Sequence, residues 1–143
     1  MPHARRIPAL LAAALTLAAC APGAAWGPRM AAAEKPCIDG AEGMERAFSD
    51  AEAGKITLNE LKARADAEVM ACTVAENAWA TMTDMPPAVR AACMPVADGR
   101  LLLARDMRVQ LDHPQTIQDP LGHEQRLAAL ERDSAACNRA TGG

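Results

Sequence analysis

Five cysteines are the residues of this 143-residue chain best placed to do chemistry. Cys37, Cys72, Cys93 and Cys137 are spread through its body, and Cys20 stands apart near the start. Without Cys20 the count is even, and four cysteines in a small chain argue for two disulfides wherever the compartment is oxidising. Zinc sites draw instead on close pairs such as CxxC, and no pair here has that spacing. His113 and His123 flank a stretch that also holds Asp112, Asp119 and Glu124, all potential donors to a divalent cation. No HxxxH or HExxH spacing supports that chemistry, so these residues read as a solvated loop, with His113 a turn residue before Pro114. Met70, Met82, Met85 and Met94 carry thioethers suited to Cu(I), but methionine at helical spacing is more often core filler. Ser49 and Ser134 stand in no GxSxG context and have no histidine close in sequence. There is no glycine-rich phosphate loop. No catalytic residue, metal or cofactor is expected, and the chain is not expected to be an enzyme.

The N-terminus explains why Cys20 stands apart. Arg5 and Arg6 precede an uncharged run, Ile7 to Ala19, made almost entirely of Ala and Leu. That run is short of the roughly 20 apolar residues a spanning helix needs. A basic start and a short apolar core are the pattern of a secretory signal peptide. The run ends in Leu17-Ala18-Ala19-Cys20, which resembles the lipobox of bacterial lipoproteins. The resemblance implies cleavage after residue 19 and acylation of Cys20. Two or more acyl chains anchor a protein stably, each buried methylene contributing about 0.8 kcal/mol. Ala21, rather than Asp, follows the cysteine, which by resemblance to enterobacterial sorting favours the outer membrane, on its periplasmic side. The alternative is an ordinary cleaved signal, with cleavage before Trp26 or Glu34 and Cys20 discarded.

From Cys20, the 143 residues less the first 19 leave 124, enough for one domain. Without Arg5 and Arg6, 13 of the 15 basic residues face 18 acidic ones. The balance is acidic, with no basic stripe, so no nucleic-acid partner is expected. The chain has no Tyr, one Phe (Phe48) and two Trp, of which only Trp79 lies in the expected domain.

These residues must be positioned by helices. Residues 20–36, with Pro22, Gly23, Gly27, Pro28 and Pro36, read as a mobile, lipid-anchored linker. A first helix is expected from an Asp39 cap with Glu42 three residues on, ending at Gly54. Thr57-Leu58-Asn59-Glu60 is a second capping box, opening a helix with the stripe Leu58, Leu61, Ala65, Val69, Cys72, Ala75, Trp79 and Met82. Pro86 and Pro87 end it. A short turn near Val89 to Cys93 is then interrupted by Pro95 and Asp98-Gly99, and Asp98 caps a third helix carrying Leu102, Leu103, Met107 and Leu111. Asp119-Pro120 opens a last helix with Leu127, Leu130, Ser134 and Cys137 on one face. No stretch alternates with period two. The expectation is an all-α four-helix bundle over residues 37–143 with an interrupted third segment, after a signal peptide (1–19) and linker (20–36).

In an up-down bundle, residues equidistant from a turn lie at one height. The midpoints of successive cysteines fall near Gly54, Met82 and Gln115, close to the three expected turns. All four cysteines should then share one layer, and neighbouring pairings are favoured over the diagonal one. Cys37–Cys72 with Cys93–Cys137 staples two hairpins; Cys72–Cys93 with Cys37–Cys137 stays nearly as good. Each bond should contribute roughly 3–4 kcal/mol.

The segment Cys93-Met94-Pro95, the helix closing in Leu111-Asp112-His113-Pro114 and the last helix ending in Cys137 together resemble the Rap/Tai immunity proteins over residues 72–137. Cys72 matches the family's upstream cysteine, although Thr73, Val74, Ala75 and Glu76 follow it where the family has an aromatic and a glycine. The resemblance implies a small periplasmic helical protein that plugs a cell-wall amidase delivered by type VI secretion. His113, Pro114, Gln115 and Asp119 would then be contact residues, since loops on rigid scaffolds carry recognition. The reading is an exported, lipid-anchored, non-catalytic binding protein; the alternatives are a copper-handling protein and a structural envelope lipoprotein with no ligand. Cys20→Ala should lose incorporated palmitate and move the protein from the membrane to the soluble fraction. Unchanged membrane binding with processing at the same residue would show that Cys20 is not the anchor.

Overall fold

A computed structural model describes residues 25–113 and 120–142. The expected signal peptide, Cys20 and the start of the linker lie outside the described residues, as do Pro114, Gln115 and Asp119. The described residues form four helices: α1 (Trp26–Glu52), α2 (Leu58–Thr81), α3 (Pro87–Asp112) and α4 (Pro120–Thr141). They contain no strand, and none of these helices is long and apolar enough to cross a membrane. The fold is the all-α four-helix bundle that the stripes imply.

Local chemistry sets the element ends. The Thr57 hydroxyl accepts from the Glu60 N–H at 3.2 Å, and the Thr57 N–H donates to the Glu60 carboxylate at 2.6 Å, completing the capping box of α2. Gly54, at φ 70°, takes the left-handed conformation that turns the chain out of α1. Pro87 occupies the first turn of α3, where a missing N–H costs nothing. The C-terminal carbonyls of α2 are met by Arg90, whose guanidinium donates to Trp79 O at 3.2 Å, to Ala80 O at 2.9 Å and to Met82 O.

Two boundaries differ from expectation. Helix α1 begins at Trp26, so the first helix does not start at Asp39, and residues 26–36 are not a mobile linker. Trp26, Met30, Ala33 and Cys37 recur at steps of four and three; the first three pack in the Trp79 layer, and the Trp79 indole N–H donates to Met30 O at 3.0 Å. Trp26 therefore belongs to the domain as much as Trp79 does. Pro28 falls in the first turn, where proline is tolerated. Asp39 accepts from Lys35 at 2.7 Å on the helix surface instead of capping. The third segment is likewise uninterrupted: α3 runs through Pro95, Asp98 and Gly99. Its buried face, from Val89 through Cys93, Val96, Ala97, Leu101 and Ala104 to Leu111, is continuous and outweighs the breakers. A Cβ at Gly99 would meet Leu130 Cδ1 of α4 at 3.4 Å, an ordinary contact.

Of the two neighbouring pairings, the fold forms Cys37–Cys72 and Cys93–Cys137, with Cα atoms 4.6 and 4.5 Å apart. They staple α1 to α2 and α3 to α4. The single cysteine layer is not found. Cys93 and Cys137 pack with Trp79, Met82 and Met85 at one end, whereas Cys37 and Cys72 pack with Ala75, Leu101 and Ala104 in the next layer. The α2–α3 turn is centred beyond Met82, which offsets Cys93 from Cys72 by about one helical turn. A third layer around Met44, Ala47, Leu61, Ala65 and Leu111 closes the far end.

Non-reducing peptide mapping should recover the 37–72 and 93–137 cross-links. Replacing either pair by alanine should lower unfolding free energy by roughly 3–4 kcal/mol in urea titration. A loss below about 1 kcal/mol would mean that the staples are incidental to the fold.

Candidate functional site

Helix α1 packs on α2, α2 on α3 and α3 on α4, whereas α1 and α4, the two outer helices, make no comparable contact among the described residues. The bundle is open along that seam. A groove of about 450 Å³ runs there, walled by Ile38, Ala41 and Phe48 of α1 and Leu127 and Leu130 of α4, with Leu103 and Met107 of α3 beneath. A second hollow of about 330 Å³ continues it past Met30, Trp79 and Ser134, and Arg100 lines both. Volumes of this order suit a ligand or an inserted side-chain cluster.

The groove is apolar but not uncharged. Glu68 of α2 lies on its floor, 5% exposed, and its buried Oε2 has no hydrogen-bond partner among the described residues. Burial pushes this carboxyl above the ordinary glutamate range. Gly40 makes the position possible: a Cβ there would stand 3.3 Å from Glu68 Cγ. The absent side chain lets α1 lie over Glu68 one turn beyond the Cys37–Cys72 bond. Glu42 and Glu45 add two carboxylates on the α1 wall. The guanidinium of Arg100, on α3, forms an ion pair with Glu34 of α1.

The residues singled out in the sequence are placed differently. The four body cysteines are all bonded. Among the described residues, no group of three or more His, Cys, Asp or Glu side chains is arranged to hold a metal ion. Asp112 is paired with Arg108 at 2.7 Å and Lys62 at 2.9 Å, and these two cations, Arg108 first, hold its carboxyl down to about 2. His113 sits at the C-terminal end of α3, its N–H donating to Val109 O and Gln110 O at 3.2 Å. His123 lines the groove beside Leu127, and Glu124 is exposed. Met82 and Met85 are buried with Trp79, Met94 packs against them and Met30 joins from α1, whereas Met70 is 70% exposed on the outer face. Ser49 is exposed on α1.

Glu68 and Arg100 line the groove and Glu34 the hollow that continues it, and sequence reasoning missed all three. The signal for Glu68 was available: it stands three residues after Ala65 and four before Cys72, a lone carboxylate on the apolar stripe of α2. Neither a protein-family profile, nor a curated protein, nor a solved structure matches the chain.

A buried carboxyl whose pKa is raised destabilises the fold once ionised. Stability should therefore fall as pH rises from the unfolded glutamate value, about 4.3, through the higher folded value. Glu68→Gln should raise the melting temperature at pH 7 by several degrees, on the order of 1 kcal/mol, and the gain should shrink toward pH 4. Thermal melts across pH 4–8 test this; a gain independent of pH would mean that Glu68 charge is not the cause.

Proposed function

We propose that the chain is a non-catalytic binding protein of the bacterial cell envelope, exported and held by acylated Cys20 on the periplasmic side of the outer membrane. The observation that carries the binding role is the open α1–α4 seam: an apolar groove kept on a disulfide-stapled scaffold with an unpartnered carboxylate on its floor. A site that sacrifices stability in this way is a functional candidate on physical grounds. The compartment is supported by the two disulfides, which persist in oxidising surroundings.

The resemblance over residues 72–137 makes a cell-wall amidase delivered by a competing cell the partner to test first. A small rigid helical protein suits such a task, because preorganised surfaces lose little entropy on docking. His113 and the segment after it remain the contact surface suggested by that resemblance, and the groove is a second.

Two measurements test the reading. Deleting the gene should sensitise cells to the amidase encoded beside it or delivered by neighbours, and the purified chain should suppress amide cleavage in isolated peptidoglycan at near-stoichiometric ratio. Unchanged sensitivity together with uninhibited cleavage would remove the amidase from the proposal.

A further inference from the structure

The α1–α4 groove has a shape and a charge that together specify an occupant. Its walls are apolar rows on two helices, Ile38 and Phe48 on one side and Leu127 and Leu130 on the other. Leu127 is 43% exposed although it lies on the inward stripe of α4. The charge is one-sided. Glu42 and Glu45 stand on the α1 wall and Glu68 on the floor, while the Arg100 guanidinium is already paired with Glu34. Among the described residues Glu68 Oε2 has no hydrogen-bond partner.

We propose that this groove seats one amphipathic helix of a partner protein, which lays its apolar face between α1 and α4 and delivers a lysine or arginine side chain to Glu68. The inference rests on the binding role proposed above and names the chemistry of the partner. Apolar anchors at helical spacing fit a groove between two helices, as in other helix-in-groove complexes. The cation follows from Glu68. Glu68 is already largely out of water, and an anionic or wholly apolar occupant would leave it with no compensating bond. A basic side chain turns that same burial into a charge-assisted hydrogen bond, and the Glu42 and Glu45 carboxylates steer it in. The seam is long enough: an 18-residue helix spans about 27 Å, shorter than the 22-residue α4.

The test uses the full chain carrying Cys20→Ala, oxidised, with three synthetic 18-residue amphipathic helices that differ only at the centre of the apolar face: lysine, norleucine or glutamate. Fluorescence anisotropy should show the lysine peptide binding at least about tenfold more tightly than the norleucine peptide, a ratio worth about 1.4 kcal/mol. Glu68→Gln should collapse that ratio to near unity while the fold, checked by circular dichroism, is kept. Leu127→Arg, at an exposed wall position, should weaken all three peptides. Equal binding of lysine and norleucine peptides, or a ratio that survives Glu68→Gln, overturns the proposal. Glu68-dependent binding of hexylamine without binding of any peptide overturns the helix as occupant and gives the groove to a small amine. A chain that binds no peptide yet protects cells from an amidase loses this proposal and keeps the function above; one that binds the lysine peptide yet protects against nothing keeps the groove and loses the amidase.

Discussion

Small side chains are the constraint on which the rest of this structure depends. With one Phe, two Trp and no Tyr, the bundle is packed largely by alanine, methionine, cysteine and scattered leucine. Alanine buries little area, so each contact contributes little hydrophobic free energy. The compensation is covalent. Each disulfide closes a helical hairpin and restricts the unfolded chain, which helps most where the core is thin. Small residues are also what allows the staples: Cα atoms 4.6 and 4.5 Å apart require helices that nearly touch. Gly40 beside the first bond supplies that closeness.

The same staples bear on the two prolines inside helices. Pro36 directly precedes Cys37, and Pro95 lies two residues after Cys93. Proline in a helix interior removes a backbone hydrogen bond and costs about 3 kcal/mol. In both helices the weakened turn is tied to a neighbouring helix by a covalent bond within two residues. The helix is held where it would otherwise break, and its apolar face stays in register on both sides of the proline.

That coupling explains which features were legible in the sequence. The Thr57–Glu60 capping box, the α2 stripe and the Gly54 turn depend on residues a few positions apart, and they stand where local chemistry puts them. The start of α1 and the continuity of α3 were hidden for one reason: Pro28, Pro36, Pro95 and Gly99 are local stop signals, overruled by packing partners distant in sequence. The hairpin pairing of the cysteines was readable from their spacing about the turns, but their split over two layers was not, because it depends on where the α2–α3 turn is centred. Glu68 was visible as a charge on an apolar stripe. Its significance needed the Gly40 approach and the open seam, which only the assembled helices reveal.

The open seam also follows from how the staples are distributed. One bond joins α1 to α2 and the other α3 to α4, so each hairpin is rigid, and the α2–α3 contact joins them. Among the described residues nothing comparable draws α1 toward α4; the Glu34–Arg100 ion pair ties α1 to α3 instead. Glu68 is already 5% exposed, so its carboxyl bears most of the desolvation cost in the open bundle, and closing the groove would still leave it without a counter-charge. The gap between α1 and α4 thus follows from where the staples lie, and the buried Glu68 carboxyl is the charge that an occupant of the groove would have to meet.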